Sequence, residues 1–189
     1  VFARVLYGGR VSILVGVVGA LSGSLIGMVL GSIAGYFRGK TDSILIRLSE
    51  IFQTFPQIIL IMILVTVMGQ GVSNLILVFS LTGWMTTFRM VRNEFLALRE
   101  ETYVQLCEAF GMKKSSIMFK QILPNVLSPV IVATTANVAG FILSEASMSF
   151  LGIGVPSSVP TWGNILNAAK SVEVVTNYWW LWVVPGVVI

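Results

Sequence analysis

A long uncharged stretch limits what this chain can fold into. No charged residue occurs between Ile51 and Phe88, and the stretch is interrupted once, by the polar and Gly-rich segment 68–74. As a single helix, residues 51–88 would be about 57 Å long, nearly twice the ~30 Å hydrocarbon core of a bilayer. The stretch therefore predicts two membrane-spanning helices joined by a turn.

The composition supports a polytopic membrane protein of all-α class. The chain is 56% hydrophobic and only 11% charged, with a mean hydropathy of +0.90, whereas soluble domains carry about 25% charged residues. The absence of His and the single Cys, Cys107, leave no His/Cys cluster for zinc and no internal disulfide. We therefore predict no catalytic, cofactor-binding or metal site, and no nucleic acid partner, since in a membrane protein the location of the basic residues matters more than the net charge of +4.

Hydropathy and turn signals predict five spans. They cover about 11–36, 44–68, 72–88, 124–150 and a last one from about 178 that the sequence does not complete. The chain starts without Met and stops inside an apolar run, so we expect a fragment of a longer protein, a single transmembrane domain over 1–189 that continues at both ends.

Glycines recur at intervals of three or four along the first span. Such a stripe of small residues lets another helix approach closely, although glycine is also simply common in membrane helices. The positions are Gly16, Gly19, Gly23, Gly27, Gly31 and Gly35.

The distribution of Lys and Arg predicts the orientation. Nine of the 12 basic residues fall on one side of the predicted spans and three on the other, and the richer side is expected in the cytoplasm. The nine are Arg38, Lys40, Arg47, Arg89, Arg92, Arg99, Lys113, Lys114 and Lys120, and the three are Arg4, Arg10 and Lys170.

The most charged loop on the cytoplasmic side, 89–123, is where function is expected. Apolar residues recur every three or four positions from Val91 to Phe110, which predicts one amphipathic helix ended by Gly111. A second short helix is predicted from Ser115 towards Pro124. Two interpretations stay open: the helices lie on lipid headgroups, or they form a docking surface for a partner protein.

Several motifs resemble the permeases of binding-protein-dependent ABC importers. Tyr103–Gly111 followed by Ile122-Leu-Pro-Asn125 is similar to their cytoplasmic loop motif, which has Glu-Ala-Ala, a Gly six positions after the Glu, and a terminal Leu-Pro. Glu145–Gly154 and Pro160-Thr-Trp-Gly-Asn164 resemble the dipeptide, oligopeptide and nickel branch. The resemblance extends over nearly the whole chain.

The resemblance implies a helical permease that imports peptides, or nickel and other metal chelates, by alternating access. It implies two ATP-binding subunits that hydrolyse the ATP, a second homologous permease, an extracytoplasmic substrate-binding protein, and a multi-pass location in a bacterial or archaeal plasma membrane. It also assigns a set of residues to the loop that couples to the ATPases: Tyr103, Gln105, Glu108, Ala109, Phe110, Gly111, Phe119, Leu123 and Pro124.

One part of the loop departs from the family motif. Gln105-Leu106-Cys107 stands where the motif has Glu-Ala-Ala, so a charge is lost and two side chains are bulkier. Glu108 does not replace the missing Glu, because it lies only three residues before Gly111.

A single carboxylate, Glu145, falls within the fourth predicted span. An acidic side chain inside a membrane is costly and suggests either a place on the transport path or a structural role with nearby serines. The segment after it, 152–162, is too rich in Gly and Pro to continue the helix and is expected at the outer mouth.

Two rival functions remain from the residues alone. An ion-coupled secondary transporter or channel would need ionisable residues in several spans, and Glu145 is the one we identify. A membrane scaffold that recruits a cytoplasmic partner would explain the loop but neither the Gly-rich span nor the segment after Glu145.

Overall fold

The structure is a computed structural model that describes residues 2–167 and 170–189. In this part of the chain the regular structure is helical, without strands, which confirms the predicted all-α class. The helices are α1 (Phe2–Phe37), α2 (Gly39–Gln53), α3 (Gln57–Met68), α4 (Val72–Leu98), α5 (Thr102–Ala109), α6 (Lys114–Ser116), a π-helical segment (Ile117–Ile122), α7 (Leu123–Leu151), α8 (Trp162–Asn167), α9 (Val172–Asn177) and α10 (Trp180–Val188).

Among the described residues, two helical stretches are long and apolar enough to cross a membrane, Ala3–Phe37 and Lys114–Leu151. They contain the predicted first and fourth spans. The pair α2 and α3 adds a third span if the two helices are counted together. The predicted third span forms the first part of α4, but α4 is not among these apolar stretches, since its second half carries threonines and then Arg89 and Arg92.

The prediction of one helix for the second span was wrong. Helix α2 ends at Gln53 and α3 begins at Gln57, with Pro56 as its N-cap residue. Proline has no N–H to donate, and its ring disfavours helical geometry at the residue before it, Phe55. The sequence stays apolar across this break, and hydropathy did not reveal it because hydropathy describes side chains and not backbone hydrogen bonds.

The described chain divides into two compact units, of which the first comprises Val1–Ala20, Pro56–Leu81 and Asn137–Ile189. Its core contains the rings of Phe79 and Phe141, which stack with centroids 4.5 Å apart. Gly19 gives Phe79 room, because a Cβ on Gly19 would lie 2.8 Å from the Cβ of Phe79. Burial of apolar side chains such as Leu75 and Met148 completes this core.

The second unit comprises Leu21–Phe55 and Thr82–Ala136. Here α1 and α4 approach each other closely, since a Cβ on Gly31 would lie 2.7 Å from the carbonyl oxygen of Phe88. Thr134 donates a hydrogen bond of 2.8 Å to Ser24 and thereby ties α7 to α1. The Gly stripe predicted for close helix contact is thus confirmed at Gly31 and, in the same way, at Gly27 and Gly35.

Candidate coupling surface

The predicted coupling loop, 89–123, lies in the second unit and is built differently from the single amphipathic helix expected over 91–110. Helix α4 ends at Leu98, a turn covers 99–101, and α5 begins at Thr102. The prediction of one helix was therefore wrong, although the apolar positions on both sides of the turn do pack together. The sequence carries no Gly or Pro at this turn to mark it.

Gly111 ends α5 as predicted. It adopts a left-handed φ of +73°, where a side chain would be strained. Its N–H donates to the carbonyl of Glu108 at 3.0 Å, and the N–H of Met112 donates to the carbonyl of Cys107 at 3.0 Å. This pair of bonds is a Schellman motif, which satisfies the last carbonyl groups of a helix and reverses the chain.

The second predicted short helix is not a separate element. Helix α6 runs into the π-helical segment and from there into α7, without the break that was expected before Pro124. Ser115, where this helix was predicted to begin, lies inside α6, and the N-cap residue is Lys113. Pro124 is at the second position of α7 and therefore lies inside a continuous helical run, where it has no N–H to donate to the preceding turn.

The base of the coupling loop is a buried apolar cluster. Val104 of α5 is fully buried and shares this cluster with Val91 and Phe95 of α4 and with Ile117 and Ile122 of the π-helical segment. Leu123 packs against the same cluster. The loop therefore rests on a packed core in which side chains of α5, α4 and the π-helical segment are in one cluster.

Hydrogen bonds attach the end of α1 to this base. The hydroxyl of the buried Tyr36 donates to Oε1 of Glu108 at 2.8 Å. Nη1 of Arg99 donates to the carbonyl of Tyr36 at 2.6 Å, and its guanidinium lies 5.4 Å from the centre of the Tyr36 ring. Sequence analysis missed Tyr36 and Arg99, and since Tyr36 and Glu108 are 72 residues apart no local pattern could pair them.

Arg38 makes a further link between α1 and the loop. Its guanidinium forms an ion pair of 2.6 Å with Glu100 and donates to the carbonyl of Leu96 at 3.2 Å. Its backbone has a positive φ of 55°, which is uncommon for a residue with a side chain. The chain thus passes from α1 to α2 at a residue whose side chain is held by the loop.

The outer face of the loop exposes the predicted aromatic residues. The exposed fractions are 87% for Phe110, 44% for Phe119 and 37% for Tyr103. Aromatic side chains exposed to this extent on a packed base are typical of contacts with a partner protein. Of the other predicted coupling residues, Gln105, Glu108, Ala109, Gly111 and Pro124 are also exposed, and Leu123 is half-buried.

The Gln-Leu-Cys segment has three different environments. The amide of Gln105 donates to the carbonyl of Glu100 at 3.1 Å, Leu106 is 51% exposed, and Cys107 packs against the base cluster. Gln105 therefore holds the first turn of α5, and the bulkier Leu106 adds to the exposed apolar face.

Glu145, the remaining candidate residue, belongs to the first unit and is fully buried. Its two carboxyl oxygens accept hydrogen bonds from the hydroxyls of Ser12, at 2.6 Å, and Ser149, at 2.7 Å. In the described part of the chain, no group of three His, Cys, Asp or Glu could hold a metal ion.

The sequence matches known protein families over most of its length. Residues 27–189 match the family described as "Binding-protein-dependent transport system inner membrane component". The chain is 37% identical over 186 residues to a putative peptide permease protein of Brucella ovis, covering 98% of this chain and 62% of that protein. It is 35% identical over 180 residues to the dipeptide transport system permease protein DppC of Bacillus subtilis, covering 95% and 56%. The chain thus spans about three fifths of the length of these curated relatives.

A solved structure shares the fold. A chain of the MetNI methionine ABC transporter, in inward-facing conformations, superimposes with a TM-score of 0.72, covering 98% of this chain and 91% of that one at 19% identity. At this identity the likeness concerns the fold alone, which is that of an ABC transporter permease.

Proposed function

Because the chain belongs to the family of inner membrane components of binding-protein-dependent transport systems, we propose that it is a permease subunit of an ABC importer for peptides. The names of its relatives, which include peptide and dipeptide permeases, support this cargo class. The motifs shared with nickel permeases leave metal chelates as the second cargo. The protein resides as a multi-pass component in the plasma (inner) membrane of a bacterium or archaeon.

The proposed assembly contains two ATP-binding subunits, a second homologous permease and an extracytoplasmic substrate-binding protein. This chain hydrolyses no ATP itself. ATP-driven closure of the ATPase subunits moves the coupling loop 89–123, and the helices attached to it then alternate between inward- and outward-facing arrangements.

The observation that carries this proposal is the exposure of Phe110 on a packed base. Phe110 is 87% exposed, while Val104 of the preceding helix is fully buried among residues of α4 and the π-helical segment. An exposed aromatic side chain supplies contact area for docking. The buried side supplies the stiffness that carries a displacement into the membrane helices.

The departure from Glu-Ala-Ala changes how the loop docks. With Gln105 bonded to the carbonyl of Glu100 and Leu106 half exposed, this loop offers apolar contact where the family motif offers a charge. We therefore expect the contact made by Gln105 and Leu106 to contribute little to the salt dependence of docking, since a neutral contact is not screened.

Replacement of Phe110 by Ala tests the proposal. In the assembled transporter, reconstituted in vesicles, Phe110→Ala should lower cargo uptake at least about tenfold, as expected when a central aromatic contact worth more than ~1.4 kcal/mol is removed. Measuring uptake together with ATP hydrolysis stimulated by the loaded binding protein separates coupling from catalysis.

Ile131→Ala is the matched control. Ile131 is 63% exposed on α7 and lies outside the coupling loop, so its truncation should leave stimulated hydrolysis unchanged. Equal loss of activity in both variants would contradict the docking role of Phe110. Uptake by the wild-type complex with no ATPase subunit present would contradict the ABC importer assignment.

A further inference from the structure

Glu145 is enclosed within the first unit. Its side chain is fully buried, as are those of Ser12 on α1 and Ser149 on α7. Such enclosure gives a cargo molecule no access to the carboxyl group in this arrangement. The role of Glu145 is therefore to be found in the hydrogen bonds that it makes.

The first set of bonds connects Glu145, through Ser12, to the loop that follows α7, residues 152–164. The Ser12 hydroxyl donates to Oε2 of Glu145 at 2.6 Å and accepts from the backbone N–H of Trp162 at 3.2 Å. A serine has one proton to donate and two lone pairs to accept with. Because its proton goes to the carboxyl group, the hydroxyl oxygen is left to accept from the N–H of Trp162.

The second set repeats this arrangement through Ser149. The Ser149 hydroxyl donates to Oε1 of Glu145 at 2.7 Å and accepts from the backbone N–H of Val155 at 3.2 Å. The two oxygens of one carboxyl group thus orient two hydroxyls, and each hydroxyl binds one end of the same loop. Chains of hydrogen bonds in a buried site strengthen one another.

The loop that contains both attachments, defined as residues 152–164 and including the start of α8, is closed on itself. The side-chain amide of Asn164 donates to the carbonyls of Val155, Pro156 and Val159 at 2.9–3.1 Å. Val155 and Trp162 are buried, while Ser157, Ser158 and Pro160 at the tip are exposed. The loop therefore has a buried base and an exposed tip.

The base also packs directly against both helices. The indole N–H of Trp162 donates to the carbonyl of Val5 in α1 at 2.9 Å, next to Gly9. Gly154 lies so close to α7 that a Cβ there would come within 2.7 Å of the Ser149 hydroxyl oxygen. The position of the tip is thus determined by contacts that converge on Ser12, Glu145 and Ser149.

We propose that Glu145 is a positioning residue for transport, which holds loop 152–164 through the hydroxyls of Ser12 and Ser149 and does not bind cargo. This inference rests on the proposed importer function. It predicts that changes at Glu145 alter the rate of transport and the position of the loop, while the cargo concentration at half-maximal rate stays the same.

Replacement of Glu145 by Gln is the informative change because the two side chains have nearly the same shape. A carboxylate can accept from both serines, whereas an amide has one accepting oxygen and an NH₂ group that must donate. One serine would then direct its proton away from residue 145, and the bond to one end of the loop would be weakened. The fold is retained while one of the two attachments is weakened.

The experiment measures the opening of the loop base. Val155→Cys, introduced together with Cys107→Ala, would be reacted with a membrane-impermeant maleimide in the assembled transporter; Val155 is 2% exposed, so the reagent reaches this position only when the base opens. We expect Glu145→Gln and Ser149→Ala each to raise the labelling rate about fivefold, the effect of losing one hydrogen bond of ordinary strength. Uptake in the same variants should show a lower maximal rate and an unchanged half-saturating cargo concentration.

Ser147→Ala is the matched control, because Ser147 is half-buried and its hydroxyl donates to the carbonyl of Leu143 within its own helix, away from loop 152–164. It should change neither labelling nor uptake. Unchanged labelling in Glu145→Gln, or a shifted half-saturating concentration with an unmoved loop, would overturn the proposal. Labelling needs no transport, so it remains informative even if the wild-type complex carries no cargo, a result that would count against the proposed function alone.

Discussion

Arg92 and Asp42 form an ion pair that water hardly reaches. The side chains are 17% and 16% exposed, Nη2 of Arg92 donates to Oδ2 of Asp42 at 2.6 Å, and Nε donates to the other oxygen. The hydrogen bonds with Asp42 raise the pKa of Arg92 above its ordinary value, although burial acts in the opposite direction. The pair joins α2 to the part of α4 that supports the coupling loop.

We expect Asp42→Asn to lower the free energy of unfolding by about 1 to 3 kcal/mol, because it leaves a poorly hydrated guanidinium without its counter-charge. The midpoint of thermal unfolding of the solubilised protein measures this. Glu50→Gln is the matched control on the same helix, since the Arg47–Glu50 pair is exposed and such pairs contribute about 0–1 kcal/mol.

The raised pKa of Arg92 also sets a pH dependence. A group with a raised pKa in the folded state contributes stability that is complete below its unfolded pKa and is lost only as the pH rises past the folded value. The pKa of an arginine is far above the physiological range already in the unfolded chain. The stability contributed by ionisation of Arg92 should therefore stay constant between about pH 6 and 9, and a loss within that range would assign the change to another group.

At the scale of elements, the contact between α1 and α4 in the second unit depends on glycines, which have no side chain. A Cβ on Gly31 would lie 2.7 Å from the carbonyl oxygen of Phe88 and 2.9 Å from the Cβ of Val91. Neither neighbour is the flexible end of a side chain, so the helices would have to separate. The close packing of α1 against α4, which supports the coupling loop, would then be lost.

Gly31→Ala should therefore destabilise the protein by about 1–3 kcal/mol, as overpacking does in a tight core. Gly140→Ala is expected to change the stability in the opposite direction. Gly140 lies in α7, and a Cβ added to it would meet nothing within 4 Å, while alanine is the better helix former by up to about 1 kcal/mol. Thermal unfolding of the two variants would reveal the difference, and equal effects would contradict the packing argument.

At the scale of the whole molecule, the distribution of basic residues predicts that the coupling loop and loop 152–164 are reached from opposite sides of the membrane. In a Cys107→Ala background, Ala109→Cys should react with an impermeant maleimide only in inside-out vesicles, and Ser158→Cys only in right-side-out vesicles. Both positions are exposed, whereas Cys107 itself packs against the base cluster and would report poorly. Labelling of Ala109→Cys in right-side-out vesicles would show that the predicted orientation is wrong.

The sequence predicted those features whose causes are local. The positions of α1 and α7 follow from hydropathy, and the end of α5 follows from Gly111, because a Schellman motif needs a residue that tolerates positive φ. The break at Pro56 was missed because hydropathy does not register a lost N–H. The partners of Glu145 and Tyr36 could not be predicted, since Ser12 is 133 residues from Glu145 and Glu108 is 72 from Tyr36.

The π-helical segment Ile117–Ile122 makes the direction of α5 relative to α7 depend on the number of residues between Gly111 and Pro124. A π turn holds more residues than an α turn, and each residue removed from or added to a helix rotates its two ends against each other by about 100°. A single deletion here would swing α5, with Phe110, away from its present direction relative to the start of α7. The loop can thus exchange Glu-Ala-Ala for Gln-Leu-Cys, yet it has little freedom to change its length.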